Sequence, residues 1–170
     1  MKYFAYGSNM SLSRLRQRVP SAKRIGTFVL NGHALRFHKV GKDGTAKCDA
    51  YYTGDLEKVY GVVFDIDPIE KDNLDRVEGL GQGYEEKTVD LQSDHGQTLQ
   101  AKTYYATHLN PTLKPLSWYV GHVLIGAREA NLPTHYLSSI ESIESLEDEN
   151  SKRDAEERAI HNSPSSSTLA

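Results

Sequence analysis

Apolar positions along this chain change their period several times, and each change marks an element. Lys2 to Tyr6 alternates and carries aromatics, which predicts a short strand. Gly7-Ser8-Asn9 breaks that pattern before Ser11 to Val19, which can form a helical segment. From Arg24 to Tyr52 the residues are β-branched and aromatic, with turn signals at Asn31-Gly32 and Lys42-Asp43-Gly44, so successive antiparallel strands are expected. Asn31-Gly32 is the stronger hairpin signal. Val59 to Ile66 (VYGVVFDI) is a mostly apolar run suited to a buried central strand. Asp67-Pro68 then opens a helix with Ile69, Leu74 and Val77 as its apolar positions, ending near Glu78-Gly79. Tyr84 to Leu91 and Thr98 to Ala106 read as two strands around the polar turn Ser93 to Gln97. Pro115 begins a helix in which Leu116, Tyr119, Val123 and Ala127 recur at helical spacing; Asn131-Leu132-Pro133 ends it, and a further helix covers Thr134 to about Ile143.

Strands fill the first two thirds and helices sit at the edges, which predicts an α+β fold around a mixed, mainly antiparallel barrel-like sheet. No internal repeat is visible. Beyond Ile143 the text changes to ESLEDENSKRDAEERA, with good helix formers but few apolar anchors, and then to the Ser-rich HNSPSSSTLA. We therefore expect one domain over residues 1–143 and a charged tail over 144–170, partly helical or disordered. A chain of 170 residues leaves little room for a second core.

Charge narrows the classes. Charged residues make up 25% and the net charge is −3, so no broad basic surface exists and nucleic acid is not expected as a partner. Neither a signal-peptide core nor a membrane-length apolar run occurs, which points to a cytoplasmic protein without membrane association. Cys48 is the only cysteine; it excludes an internal disulfide and reads as a half-buried strand residue. The seven histidines form no HxxxH pair, and most are expected at the surface or in strands.

Two short stretches carry chemical content. In Tyr6-Gly7-Ser8-Asn9, a glycine leaving a strand permits a φ-positive turn, and N–H groups entering a helix then offer an anion site to which Ser8 and Asn9 add donors. No lysine follows as in a P-loop, so a small carboxylate fits better than a polyphosphate. Taken alone, the tetrad reads as an ordinary turn with a capping serine. Glu78 lies in RVEGL, at a helix end where the dipole disfavours a carboxylate. By residue type alone it reads as a solvated helix-end acid. Ser8 as a hydrolase nucleophile with His33 or His38 is a weaker reading, because the flanking glycines of a nucleophile elbow are missing.

Three blocks resemble the γ-glutamylcyclotransferase family, in one order: KYFAYGSNM; VYGVVFDI with LDRVEG and Gly83-Tyr84; and PLSWYVGHVLIGAREANLP. The resemblance covers roughly residues 2 to 143 and implies the γ-glutamylcyclotransferase-like, or AIG2-like, fold. It also implies an activity, the conversion of γ-glutamyl amino acids or peptides into 5-oxoproline and a free amine within glutathione metabolism. Carried over by position, Tyr6, Gly7, Ser8 and Asn9 match the family's substrate loop, Glu78 its catalytic acid/base, and Tyr84 a tyrosine of the same pocket. No cofactor or metal is implied. The expected partner is a small γ-glutamyl substrate, and a homodimer is left open. The segment Gly79-Leu80-Gly81-Gln82-Gly83 departs from any fixed pattern, so a γ-glutamylamine cyclotransferase, or a non-catalytic binding module of the same fold, stays an alternative.

Overall fold

The structure is a computed structural model that describes residues 1–54 and 56–162. Seven strands carry the architecture: β1 (Lys2–Ala5), β2 (Lys23–Asn31), β3 (His33–Val40), β4 (Ala46–Tyr52), β5 (Lys58–Asp65), β6 (Tyr84–Gln92) and β7 (Thr98–Ala106). The helices are α1 (Leu12–Arg18), α2 (Lys71–Glu78), α3 (Ser117–Glu129), α4 (Thr134–Glu141) and α5 (Ser151–Ala159). Five strands close a barrel in the order β1-β5-β2-β6-β7, while β3 and β4 form a separate ribbon. All barrel pairings are antiparallel except β1 with β7, which run parallel at Tyr3 and Lys102. The expected mixed, mainly antiparallel barrel with flanking helices is what forms.

The apolar run of β5 is central, as expected, because it pairs with β1 on one edge and β2 on the other. Phe4, Val62, Val63 and Phe64 are buried around it. Gly61 is required by proximity: a Cβ there would collide with the Ala5 carbonyl and the Phe4 ring. Asn31-Gly32, by contrast, is not a hairpin. Both edges of β2 are occupied by β5 and β6, so β3 turns away to pair with β4. Gly32, at φ +69, makes that corner and bonds to Glu57 and Thr53 rather than across a two-residue turn.

Helix α2 follows a short 3-10 turn, Pro68–Glu70, whose Asp67 side chain accepts the Ile69 N–H at 3.0 Å. Only Leu74 of its three expected apolar positions is buried; Ile69 is 84% and Val77 41% exposed. A single turn of contact suffices, because α2 touches the barrel near one end and is held there by polar bonds. Helix α3 starts two residues after Pro115 and buries Tyr119, Val123 and Ala127. It lies so close to the first loop that a Cβ at Gly126 would strike the backbone of Met10 and Ser11. No helix among the described residues is long and apolar enough to cross a membrane.

Residues from Glu144 dock through polar groups rather than the apolar anchors they lack. The Ser117 N–H donates to Leu146 O at 2.8 Å, which satisfies a donor at the start of α3. Asp148 accepts from Trp118 Nε1 at 2.8 Å and from both Arg153 donors at 2.5 and 2.7 Å. Glu157 on α5 meets Arg14 Nη1 at 2.6 Å and His122 Nε2 at 2.8 Å. His122 Nδ1 lies 2.6 Å from His161 Nε2, and His161 Nδ1 lies 3.3 Å from Ser11 Oγ. With both imidazoles neutral, one proton assignment satisfies the chain: Ser11 donates to His161, His161 to His122, and His122 to Glu157. Residues 163–170, the Ser-rich end of the expected tail, lie outside the described residues.

Burial lowers the His122 imidazole from 6.5 to about 4, against the upward pull of its bond to Glu157. For Glu157, burial raises the carboxyl, but the His122 bond and the Arg14 charge outweigh it and bring it from 4.5 to about 2. Both pKa values are therefore lowered by folding, so each group stabilises the folded chain at neutral pH and stops doing so in acid. The His122 contribution is lost between about pH 6.5 and 4, that of Glu157 between about 4.5 and 2. We expect Glu157→Gln to lower stability at pH 7 by about 1–3 kcal/mol. Thermal unfolding against pH checks this: the gap from the wild type should close in strong acid, and a pH-independent gap would remove the charged pair as its cause.

Candidate functional site

The chain leaves β1 through Tyr6 and Gly7 into a 3-10 turn, Ser8–Met10, closed by the Met10 N–H donating to Gly7 O at 3.0 Å. Gly7 has φ −112 and ψ −140, so the φ-positive turn expected there does not occur. Space is what demands glycine. An added Cβ would lie 3.0 Å from Cys48 Cβ and 3.6 Å from the Tyr119 hydroxyl. Helix α1 begins only at Leu12, capped by Ser11, so the loop enters one short turn and no helix dipole stands behind it. The donors are local: the Ser8 and Asn9 N–H groups have no acceptor among the described residues, and both residues line a cavity.

Glu78 is the last residue of α2, which Gly79 terminates in the left-handed conformation expected of a helix stop, φ 77 and ψ 48. Its Oε1 accepts from Asn9 Nδ2 at 2.6 Å and from Arg18 Nη1 at 3.4 Å. Arg18 also donates to Asn9 Oδ1 at 2.8 Å, and Asn9 Nδ2 lies 3.1 Å from the Tyr3 hydroxyl. The Asn9 side chain is thus spent on holding Glu78, where the sequence suggested a ligand donor. Glu78 Oε2 has no hydrogen bond among the described residues. One carboxylate oxygen is fixed and the other is open.

Around it stand five tyrosines, Tyr3, Tyr6, Tyr84, Tyr104 and Tyr119, with Cys48. They line a small recess of about 30 Å³ that opens to solvent. Burial raises all five hydroxyls above their ordinary value, so the wall is uncharged. Tyr84 donates to Cys48 O at 2.5 Å, Tyr6 to Tyr104 O at 2.7 Å, and Tyr119 receives the Cys48 N–H at 2.9 Å. Cys48 is 2% exposed rather than half-buried, and burial pushes its thiol up to about 12, so it is a wall and not a nucleophile. A second, larger chamber of about 230 Å³ shares Ser8, Glu78, Tyr84 and Tyr119 with the first and is lined further by Arg14, Arg18 and Lys39.

Tyr6, Gly7, Ser8, Asn9, Glu78 and Tyr84 therefore come together in one place. Sequence reasoning missed Tyr3, Arg18, Cys48, Tyr104 and Tyr119. Tyr119 was legible only as a core position of a helix. The signal that could have found the wall is composition, since the chain has 10 tyrosines to 4 phenylalanines, an odd choice for a plain core. The hydrolase reading finds no geometry: His33 bonds to Asn31 O and His38 to Asp49, neither to Ser8. Most histidines lie at the surface or in strands as expected, His33 within β3; His122 is the exception, buried in α3. Among the described residues no three His, Cys, Asp or Glu side chains gather as metal ligands.

A closed five-stranded barrel with a loop-and-glutamate cavity at one end is the γ-glutamylcyclotransferase-like fold. The chain superposes on a solved γ-glutamyl cyclotransferase with a TM-score of 0.85 at 24% identity, covering 95% of this chain and 98% of that one. Residues 58–140 match the model of the AIG2-like family. The bovine γ-glutamylcyclotransferase is 28% identical over 147 residues, 84% of this chain and 78% of that protein, and the human one is 27% identical over the same span. The resemblance read from the three sequence blocks holds: the chain is similar to γ-glutamylcyclotransferases over 84% of its length.

If space rather than backbone conformation requires Gly7, its cost should depend on Cys48. We expect Gly7→Ala to destabilise the chain by about 1–3 kcal/mol. In a Cys48→Gly background the same change should be milder by at least about 0.5 kcal/mol. A double-mutant cycle on denaturant midpoints measures the coupling; strict additivity would return the requirement to the backbone.

Proposed function

We propose that this chain is a γ-glutamylcyclotransferase that closes the glutamyl half of γ-glutamyl amino acids or peptides onto itself, giving 5-oxoproline and a free amine, in a cytoplasmic setting. The observation that carries the reading is Glu78, which lines the tyrosine cavity with Oε1 fixed by Asn9 and Arg18 and Oε2 without a partner among the described residues, beside two unpaired loop N–H groups.

The reaction needs no protein nucleophile, because the substrate's α-amine attacks its own γ-carbonyl. Holding those atoms in attack geometry replaces roughly 7–11 kcal/mol of barrier. The α-carboxylate is the fixed handle on the glutamyl half, and the Ser8 and Asn9 N–H groups suit it. Tyrosine faces suit the adjoining α-ammonium. Glu78 Oε2 takes one proton from that ammonium and passes it to solvent; the amine forms the new C–N bond, and the carboxylate then takes the second proton from the bonded nitrogen and gives it to the nitrogen whose bond to the γ-carbon breaks. The Tyr84 hydroxyl, committed to Cys48 O, serves as a wall in this account. The aromatic wall limits the water that can compete with the internal amine.

Glu78→Gln preserves the acceptor for Asn9 and removes the base. We expect it to bind a γ-glutamyl amino acid normally while 5-oxoproline formation falls at least about 10²-fold in kcat. Near-wild-type turnover by the purified variant would reject Glu78 as the proton shuttle.

A further inference from the structure

The outer chamber carries more positive charge than the chain itself answers. Five cations line it. Lys47 pairs with Asp43 at 2.9 Å, Arg14 with Glu157 at 2.6 Å and Arg18 with Glu78 at 3.4 Å. Lys42, exposed at the mouth, and Lys39 have no ion pair or hydrogen bond among the described residues. For Lys42 solvent is sufficient. Lys39 is different, because it is only 4% exposed.

Nothing about Lys39 is accidental in its placement. A bulge at His38 interrupts the β3–β4 register, so that Phe37 pairs with Cys48 and Lys39 with Lys47. Bulges of this kind re-aim side chains beside sites. The Lys39 ammonium stands 4.6 Å from the centre of the Tyr84 ring, a member of both chambers. Its stem runs along Gly83, where φ is +110 and a Cβ would come within 3.0 Å of Lys39 Cε. Burial lowers the pKa of this ammonium, and Glu78 is the largest influence in the other direction. The ammonium faces the chamber with no acidic side chain bonded to it, so a ligand's carboxylate would supply the anion that the chain does not.

On the proposed function, the inner cavity takes the glutamyl half, and the departing amine must extend past Glu78 into this outer chamber. We propose that Lys39 is the specificity-determining residue of the site: it receives a carboxylate on the departing half. The chain then favours γ-glutamyl amino acids and peptides whose departing part ends in an acid close to the scissile bond, and disfavours γ-glutamylamines, which leave Lys39 unanswered. The alternative role for Lys39 is to set the field at Glu78, which would affect every substrate equally.

Two substrates that differ only by a carboxylate separate these roles, γ-glutamyl-L-alanine and γ-glutamyl-ethylamine. With the full chain, we expect kcat/KM to favour the alanine compound by at least about 10-fold, the scale of one charge-assisted hydrogen bond. Lys39→Met should bring the ratio to within about 3-fold, and Lys39→Arg should restore it. An unchanged ratio in Lys39→Met, with both rates reduced alike, would overturn the proposal. Binding supplies a readout independent of chemistry and of that variant's folding. N-glutaryl-L-alanine and N-glutaryl-ethylamine lack the α-amine and cannot cyclise; calorimetry on the wild type should show the first bound at least about 10-fold tighter, and equal affinities would sink the assignment. If no substrate released 5-oxoproline while the glutaryl pair still differed, the proposed reaction would fail and the carboxylate site would stand.

Discussion

The pairing of β1 with β5 sets both halves of the candidate site. It is close enough that Gly61 tolerates no side chain, and it fixes Ala5 opposite Val62 and Lys2 opposite Asp65. From the Ala5 end the chain passes directly into the Tyr6–Asn9 loop. From the Asp65 end it must come back, and α2 does this: eight residues advance about 12 Å, roughly four residues of strand. Glu78 thus arrives level with Asn9, 69 positions away in sequence, at 2.6 Å. A register slip between β1 and β5 would misalign the two ends at once.

The cavity built on that frame is polar chemistry in an aromatic shell. Each tyrosine presents apolar ring surface inward while its hydroxyl finds a partner in the scaffold, as with Tyr84 to Cys48 O and Tyr104 to Asp75 at 2.5 Å. Phenylalanine would give the same wall with less fixed orientation. The hydroxyl bonds hold Cys48 of β4 against Gly7, and α3 closes the other side where Gly126 meets the Met10–Ser11 backbone. Preorganisation of Glu78 follows from the same economy of contacts, since Asn9 is held by Arg18 and Tyr3 as well as by the acid itself.

Helix α5 contributes from a distance. Its sequence cannot bury much apolar surface, yet Glu157 supplies a carboxylate to two buried groups, Arg14 and His122, that lie 3.0 Å from each other. Arg14 also lines the outer chamber, so a segment read as a charged tail, partly helical or disordered, is tied to the wall of that chamber. Removing it would expose an unpaired cation on that wall rather than simply shorten the chain.

The sequence by itself determined the elements and their chemistry. Period and punctuation marked nearly every strand and helix, because half-buried surfaces impose those periods wherever the chain packs. The stop at Gly79 was readable because a local φ requirement decides it. The tetrad Tyr6-Gly7-Ser8-Asn9 and Glu78 were readable as a set only through the family resemblance, since neither stretch is distinctive alone. Tertiary structure decided what depends on neighbours distant in sequence. Asn31-Gly32 became a corner because β2 had no free edge, and Gly7 was needed because Cys48 stands 3.0 Å from where its Cβ would be. Asn9 became a clamp for Glu78 because Arg18 and Tyr3 converge on it. Lys39 became an unanswered charge on the chamber wall because a bulge interrupts its strand pairing. Periodicity records which face of an element is buried; it does not record what lies across the gap, and here the opposing groups decide which residues hold the acid and which meet the ligand.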